Sequence, residues 1–357
     1  MKTITKTAII IILSIIVSCS KKIKEESVYY DILLDSIENL TPQLIREFDD
    51  KLLASIEIID SLAVIMQRRS DTAMIVLNVN SGEIIAKIGV VGHGPNDMIS
   101  PDFISNHDKN NDGYLYFEDV NSKKIFKINF RSGNSYNVEN HLDYPQAIFP
   151  SSNLNYSQNI FVGRKIETIG EKMFYIYYLD TDAIVEINYF PRIVNFTKNR
   201  NYYYAPNLAL NADKNSIIAG MHFFDIVQLY DLSGNLKKVI HFSENSIPKV
   251  NSEQQILDLS NGYKGTNRIY STNNYCYLKR IEVNPLFTDH GVEENVKNSI
   301  IKMDWDGNVI KSYQIKDQLV GGFCVEEETK KLYAIRHRLG DGDNLNEYYD
   351  VVCYNLE

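Results

Sequence analysis

Cysteine is scarce in this chain of 357 residues, which contains 4. Beyond Cys19 there are only Cys276, Cys324 and Cys353, an odd number in the C-terminal quarter. On the strand assignment given below, Cys324 and Cys353 lie two strands apart, farther than the roughly 7 Å between Cα atoms that a disulfide spans. The sequence therefore argues against a disulfide framework, and we expect these three cysteines to be buried as small apolar residues. No spacing of Cys and His suits zinc.

An excess of positive charge and long apolar segments are also lacking. The formal net charge is −9, and an acidic surface repels phosphates, which argues against nucleic acid as a partner. The apolar run from Ala8 to Val17 is about half of the roughly 20 residues that a helix needs to cross a bilayer. A transmembrane helix is therefore not expected.

The N-terminal residues have the pattern of a secretory signal. Lys2 and Lys6 precede the apolar run, and residues 1–18 end with a small residue, Ser18, as signal peptides do. The segment Ile16-Val17-Ser18-Cys19 resembles the lipobox of bacterial lipoproteins, in which Cys19 would become the new N-terminus and carry a diacylglycerol. The alternative is an ordinary signal peptide that contains a cysteine by chance.

Residues 19–27 are polar and predict a flexible, lipidated tether. Lipid on Cys19 makes a membrane the first expected partner and predicts an exported, outer-membrane lipoprotein. The lysines directly after Cys19 differ from the acidic run that resembles a surface-export signal in some Gram-negative lipoproteins. A periplasm-facing position is therefore slightly favoured over the cell surface.

After the signal, short alternating apolar runs are separated by Asn, Asp, Gly and Ser, which is the pattern of strands and tight turns. Hairpin turns are predicted at Asn80-Ser81-Gly82, Ser233-Gly234-Asn235 and Asp306-Gly307-Asn308. Similar modules of four runs repeat about every 40 to 55 residues, the spacing of propeller blades. The sequence therefore predicts an all-β fold, a six-bladed β-propeller.

The predicted propeller occupies residues 28–357, after the signal and tether. Its blades are predicted at about 46–90, 101–140, 145–192, 206–243, 263–316 and 320–357. The sixth blade is one strand short, because the chain ends after Tyr354. We predict that the N-terminal segment 28–36 supplies the missing strand beside Val352 and closes the ring, which removes an open sheet edge.

A glycine-rich turn follows the first predicted blade. Gly92, Gly94, Pro95 and Asp97 form a G-x-G-P-x-acid pattern that resembles the TolB-like six-bladed propeller lipoproteins. The resemblance implies the fold and the export route. Members of that group are largely without assigned activity, so it implies no substrate.

Cations recur where the second strand of each predicted blade ends, and these ends share one face of a propeller. The candidate ligand-binding residues there are Arg68, Arg69, His93, Arg164, His222, Arg280, Arg336 and Arg338. A ring of cations on an acidic body attracts anions, and arginine binds carboxylate or phosphate with two hydrogen bonds. We therefore expect an anionic small molecule, an acidic glycan or an envelope protein as partner. The alternative is that these residues pair with carboxylates of adjacent blades.

One loop resembles a calcium-binding sequence. Asp108, Asn110, Asp112 and Asp119 are spaced like the oxygen ligands of a D-x-N-x-D-G loop. A hairpin with a polar turn explains the same residues, since strands flank the loop on both sides. Calcium is therefore a possible cofactor, and no other cofactor is expected.

Aromatic residues are abundant, with 24 Tyr and 15 Phe, although there is 1 Trp. Aromatic rings stabilise cross-strand pairs in any β-rich protein. We expect most of these rings to pack between blades, and the alternative is a sugar-binding platform.

No G-x-S-x-G, H-E-x-x-H or phosphate-loop motif occurs. The predicted innermost segments, at 103–106, 147–149, 208–211 and 322–325, are apolar or mixed, and only Asn106 and Asn211 are candidate metal ligands. The sequence thus favours a non-catalytic binding or scaffolding module. The alternatives are a calcium-dependent hydrolase or lactonase and an accessory subunit of an outer-membrane complex.

Overall fold

The computed structural model is a six-bladed β-propeller with almost no helix, which confirms the predicted fold class. The structure describes residues 29–32, 34, 37–49, 52–92, 94, 97–105, 113–131, 136–166, 172–191, 200–242, 249–251, 256–260, 262–288, 291–339 and 347–357. Across these ranges, no helix has the length and apolar character to span a membrane.

The strands are numbered in chain order. Three N-terminal strands, β1 (Tyr29–Asp31), β2 (Ile37–Leu40) and β3 (Gln43–Phe48), precede the blades. Blade 1 consists of β4 (Leu52–Ile59), β5 (Leu62–Arg68), β6 (Thr72–Asn78) and β7 (Ile84–Val90). Blade 2 consists of β8 (Pro101–Phe103), β9 (Tyr114–Asp119), β10 (Lys124–Asn129) and β11 (Val138–Asp143). Blade 3 consists of β12 (Ser151–Ser157), β13 (Ile160–Lys165), β14 (Phe174–Tyr178) and β15 (Ala183–Ile187).

Blades 4 to 6 complete the ring. Blade 4 consists of β16 (Pro206–Asn211), β17 (Ser216–Met221), β18 (Ile226–Tyr230) and β19 (Leu236–His241). Blade 5 consists of β22 (Tyr263–Ser271), β23 (Tyr275–Thr288), β24 (Gly291–Asp304) and β25 (Val309–Ile315). Blade 6 contains β26 (Leu319–Glu326), β27 (Lys331–Leu339) and β28 (Glu347–Asn355). Smaller elements are a hairpin of β20 (Lys249–Asn251) and β21 (Ile256–Asp258), a 3₁₀ turn at Gln146–Ile148 and one helical turn, α1 (Arg200–Tyr203).

The apolar core lies between neighbouring blades. Middle strands such as β6 bury five consecutive residues, because each blade is covered on both faces by its neighbours. Outer strands such as β7 alternate between exposed and partly buried residues. This difference explains why the middle strands are continuously apolar and the outer strands are not.

The three cysteines after Cys19 are free and buried, as expected. Cys324 and Cys353 lie in the first and third strands of blade 6, because both are opposite Tyr333 in the strand β27 between them. Their separation by a whole strand is the reason that no disulfide joins them.

The ring is closed by an N-terminal strand, but the predicted segment 28–36 is wrong. The closing strand is β3, which pairs antiparallel with β28 so that Phe48 lies opposite Tyr349 and Leu44 opposite Val352. Residues 46–48, predicted at the start of the first blade, therefore belong to the sixth. Instead, β1 pairs in parallel with the outer edge of β19, and β2 pairs in parallel with β25.

The error has a physical cause. The run from Tyr29 to Leu34 is more apolar than β3, but Tyr29 and Tyr30 are exposed on the edge of blade 4. A closing strand is the outermost strand of its blade and has one buried flank, so it needs few apolar residues. In β3 only Phe48 is buried, and apolar density does not reveal such a strand.

Candidate functional site

The innermost strands of the blades, β4, β8, β12, β16, β22 and β26, surround a central channel. A cavity of about 270 Å³ lies in this channel between blades 2 to 6. The polar side chains that line it are Asp102, Glu118, Asn153, Asn155, Asn207, Asn267 and Arg268. We take this channel as the candidate functional site because its polar groups come from four blades and meet at one level.

Backbone bulges turn several of these side chains into the channel. The register of β12 shifts between Ser152 and Asn155, and that of β22 shifts between Thr266 and Arg268. Matching shifts occur near the start of β4 and β26. A bulge adds one unpaired residue and re-aims its neighbours, which is why bulges are frequent next to binding sites.

Gly321 shows how tightly the bulged strands approach one another. It has a φ of +63°, and a Cβ atom at this position would lie 1.8 Å from the carbonyl oxygen of Ala54 in blade 1. Only glycine allows both the left-handed backbone and this contact. The bulge of blade 6 is therefore fixed by its sequence.

Asparagine side chains on the channel wall use their amide nitrogens for hydrogen bonds to backbone carbonyl groups. The Nδ2 atom of Asn207 donates to the carbonyl oxygen of Thr266 at 2.6 Å, and that of Asn153 donates to the carbonyl oxygen of Pro206 at 3.4 Å. Asn155 Nδ2 donates to the carbonyl oxygen of Asn153 at 3.0 Å. Among the described residues, no group donates to the Oδ1 atoms of these three amides, so the oxygens can accept hydrogen bonds from a ligand.

Arg268 provides the positive charge of the channel. Its guanidinium lies against the backbone of Gly322, where a Cβ atom would be 3.2 Å from Cζ. Within the described ranges, Arg268 forms no ion pair and no hydrogen bond. A half-buried guanidinium without an anionic partner retains its full capacity to bind a carboxylate or phosphate.

Glu118 is a buried carboxyl group on the wall of the same cavity. The hydroxyl of Tyr144 donates a hydrogen bond to Glu118 Oε2 at 2.6 Å. Burial raises the pKa of Glu118 to about 7, with smaller contributions from Asp102 and Asp119, although the Tyr144 hydrogen bond lowers it. Glu118 is therefore substantially protonated near neutral pH.

This raised pKa predicts how stability depends on pH. Because the folded pKa lies above the ordinary value of 4.5, folding loses stability as the pH rises from about 4.5 through 7. Glu118→Gln stays neutral at every pH. We therefore expect its free energy of unfolding, relative to that of the wild-type protein, to be about 3 kcal/mol higher at pH 8 than at pH 4. Urea denaturation at both pH values measures the difference. The exposed Glu139→Gln is the control, and a constant difference for Glu118→Gln would contradict the prediction.

Three arginines of the predicted ring of cations are bound to protein carboxylates. Arg280 makes two hydrogen bonds to Asp225 at 2.6 and 2.7 Å, which join blades 5 and 4. Arg336 and Arg338 both bind the fully buried Asp350, each at 2.5 Å. The alternative weighed from the sequence, pairing with carboxylates of adjacent blades, thus describes Arg280, whereas Arg336 and Arg338 bind a carboxylate of their own blade.

Arg336 and Arg338 have further partners, and Arg68 is also engaged. Asp317 accepts a hydrogen bond from Arg336, and Glu47 of β3 accepts one from Arg338. Arg68 donates to the carbonyl oxygen of Pro101 at 2.8 Å and lies 3.9 Å from Asp102.

Two members of the predicted ring lie together without a described carboxylate partner. Arg164 is close enough to His222 to lower its pKa, although burial lowers that pKa more. Nη2 of Arg164 contacts the carbonyl oxygen of Asn201 at 3.5 Å. Arg69 is exposed with a φ of +52°, and His93 lies outside the described residues.

The predicted calcium loop falls mostly outside the described residues, which exclude Asp108, Asn110 and Asp112. Asp119 is fully buried at the end of β9, and its two carboxylate oxygens accept backbone N–H groups of Ile99, Ser100, Asn121 and Ser122. These hydrogen bonds give Asp119 a structural role. Among the described residues, no three Asp, Glu, His or Cys side chains form a group that could hold a metal ion.

The turn that resembles TolB-like proteins is held by Asp97. Its Oδ2 atom accepts a hydrogen bond from the backbone N–H of Gly94 at 2.7 Å, and a Cβ atom on Gly92 would lie 2.4 Å from the same oxygen. The two glycines are therefore required by the position of this carboxylate. Pro95 lies outside the described residues.

A larger cavity, of about 720 Å³, lies at the opposite end of the ring between blades 5 and 6. Several of its polar groups bind one another: Glu327 accepts hydrogen bonds from Thr272, Asn274 and Tyr277. Lys302 lies 3.9 Å from the ring centroid of Tyr275. Because these groups already have partners, the cavity offers less to a ligand than the Arg268 channel does.

The fold and the channel define a six-bladed propeller with a polar central site. No family model matches the sequence, and no curated protein matches it. The structure is similar to a member of the DUF4221 family from Bacteroides vulgatus, with 13% identity, a TM-score of 0.56, and coverage of 90% of this chain and 100% of that one. It is also similar to a protein from Bacteroides fragilis described as exported, with 15% identity, a TM-score of 0.54, and coverage of 92% and 98%. At these identities the similarity shows the fold alone.

Proposed function

We propose that this chain is an exported, lipid-anchored propeller that binds a small hydroxylated carboxylate, a sugar acid, in its central channel without catalysing a reaction. The observation that carries this proposal is Arg268, a cation without a described partner in a cavity walled by amide oxygens. Of the six arginines predicted from the sequence, Arg280, Arg336 and Arg338 hydrogen-bond protein carboxylates.

The chemistry of the cavity matches each part of such a ligand. A guanidinium binds a carboxylate with two parallel hydrogen bonds, which fixes its orientation. The Oδ1 atoms of Asn153, Asn155 and Asn207 accept hydrogen bonds from hydroxyl groups, and the half-exposed Asp102 accepts another. A neutral carboxylic acid at Glu118 adds a donor. A ligand with several hydroxyls and one carboxylate satisfies these groups together.

Export and lipid anchoring are proposed from the sequence and one comparison. The signal pattern, the lipobox at Ile16–Cys19 and the polar tether describe a lipoprotein. The Bacteroides fragilis protein of similar fold is described as exported. We propose an outer-membrane location with the propeller facing the periplasm, and we retain membership of the TolB-like group and a role as a subunit of an outer-membrane complex as hypotheses.

Calcium-dependent hydrolysis, the other activity considered, needs a cation in the channel. Oxygen atoms of the kind that calcium prefers are present. Arg268 lines the same cavity, however, and its charge repels a cation. Binding of an anion therefore agrees better with the residues present.

Calorimetric titration of hexuronates into the lipid-free chain that begins at Ser20 tests the proposal. We expect galacturonate, glucuronate or mannuronate to bind at least about tenfold more tightly than the neutral sugar galactose. Replacing Arg268 with Met should weaken hexuronate binding by roughly 10- to 100-fold, because a charge-assisted hydrogen bond contributes about 1.5 to 3 kcal/mol.

Arg69→Met is the matched control, because Arg69 is an exposed arginine of the predicted ring and lies outside the channel. Its binding should equal that of the wild-type protein. Failure of all three hexuronates to bind, or unchanged binding by Arg268→Met, would overturn the proposal. Stoichiometric binding of calcium in a separate calorimetric titration with calcium chloride would favour the hydrolase.

A further inference from the structure

Four aromatic rings form a partly exposed cluster on the ring face where the predicted cations lie. We name Tyr202, His222, Phe223 and Tyr263 the mouth platform. The ring centroid of Phe223 lies 4.6 Å from that of His222, 5.3 Å from that of Tyr263 and 6.1 Å from that of Tyr202. Tyr202 is 60% exposed and the other three rings are partly buried. Exposure of 60% is high for a large aromatic side chain.

Of the platform residues, Phe223 packs partly against the apolar core, whose buried rings come from the chain neighbours. Tyr203 and Tyr204 follow Tyr202 and are buried, and Phe224 follows Phe223 and stacks on Tyr204 with centroids 5.0 Å apart. Blade 4 is therefore anchored by one set of buried rings, and a second set lies partly exposed beside it. Packing against the core does not account for the 60% exposure of Tyr202.

The platform continues into the channel along β22. Tyr263 begins this strand and Arg268 lies five residues later, a distance of roughly 16 Å at about 3.3 Å per residue. Between them, a Cβ atom on Gly265 would lie 1.9 Å from the carbonyl oxygen of His222, so the strand passes directly against the platform. A ligand anchored at Arg268 and longer than one sugar would reach these rings.

The charge around the platform is complementary to an acidic ligand. Arg164 lies next to His222 and has no carboxylate partner in the described part of the chain. The flat, apolar face of a sugar ring packs against aromatic rings and removes both surfaces from water. A row of rings together with two arginines that bind no carboxylate among the described residues therefore suits a chain of acidic sugars better than a single sugar or a neutral chain.

We propose that the mouth platform and the Arg268 channel together form an extended site for an acidic oligosaccharide. One terminal uronate enters the channel and the following sugars stack on Tyr202, Phe223 and Tyr263. This inference rests on the proposed function, since it extends the same site. It assigns to three aromatic residues a binding role that the sequence pattern left to the core.

Titration of trigalacturonate and galacturonate into the lipid-free protein tests the extended site. We expect the trisaccharide to bind at least roughly tenfold more tightly than the monosaccharide, which corresponds to about 1.4 kcal/mol. Tyr202→Ala and Tyr263→Ala should remove this advantage and leave galacturonate binding unchanged. Arg268→Met should weaken the binding of both saccharides. Tyr30→Ala, a change of an exposed tyrosine on the outer edge of blade 4, is the matched control.

The outcomes separate the two proposals. If neither saccharide binds, the proposed function fails. If galacturonate binds but trigalacturonate gains nothing, or if the Tyr202 and Tyr263 variants keep the gain, the extended site alone is overturned. Competition by hexaglutamate as strong as by trigalacturonate would overturn the assignment to saccharides in favour of an acidic peptide.

Discussion

A lipid-free chain that begins at Asp49 and therefore lacks β3 should fail to fold cooperatively. Loss of β3 exposes the edge of β28 and removes the buried side chain of Phe48. It also removes the hydrogen bond from Arg46 to the carbonyl oxygen of Gly82 in blade 1. Loss of a buried phenylalanine side chain alone costs about 3 to 5 kcal/mol, against a total stability of about 5 to 15 kcal/mol for a typical domain. Urea unfolding followed by far-UV circular dichroism measures the effect.

The matched control is a chain that begins at Thr41, which loses β1 and β2 but keeps β3. Because β1 and β2 lie on outer edges of complete blades, this chain should unfold cooperatively at a moderately lower urea midpoint. A chain beginning at Asp49 that unfolded at the same midpoint as the Thr41 chain would show that β3 does not close the ring.

Asp350→Ala should destabilise the protein by about 3 to 5 kcal/mol, because it leaves two arginines in blade 6 without their shared carboxylate. Asp350 is fully buried, and Arg336 and Arg338 each bind it at 2.5 Å. The urea midpoint at neutral pH measures the loss.

Asp143→Ala is the control for this change, because Asp143 is exposed at the outer edge of blade 2. A surface substitution of this kind should alter stability by at most about 0.5 kcal/mol. If Asp350→Ala were equally mild, Arg336 and Arg338 would be free to bind a ligand, and the structural role assigned to them here would be wrong.

The fold could be predicted because a propeller repeats its signals. Each blade contributes apolar runs and tight turns, and the predicted turn glycines Gly82, Gly234 and Gly307 all have positive φ angles between +70° and +82°. Ring closure could be predicted from the missing strand of blade 6. The identity of the closing strand could not, since β3 buries only Phe48 and its pattern is weak.

The candidate site was much less visible in the sequence. Arg268 lies inside β22 and not at the end of a strand, where the predicted cations were placed. Its position in the channel depends on the bulge of β22, which apolar periodicity does not reveal. The innermost strand of blade 3 is Ser151–Ser157, whereas the sequence suggested 147–149, so Asn153 and Asn155 were missed. A polar residue within an innermost strand, such as Asn207, was the one available signal.

The two asparagines chosen from the sequence illustrate the same limit. Asn211 lies at the far end of β16, where its Oδ1 atom accepts the backbone N–H of Lys214 and its Nδ2 atom donates to the carbonyl oxygen of Asn273. Asn106 lies outside the described residues. Residue type alone did not distinguish an asparagine at a turn from one in the channel.

A crystal structure of the lipid-free protein grown with the tightest-binding hexuronate tests the central claim most directly. We predict that the ligand carboxylate lies in the channel with both oxygens about 2.7 to 3.0 Å from guanidinium nitrogens of Arg268, and that ligand hydroxyls donate to Oδ1 of Asn155 or Asn207. A hexuronate bound away from the channel, or a channel occupied by a calcium ion beside Arg268, would contradict the account.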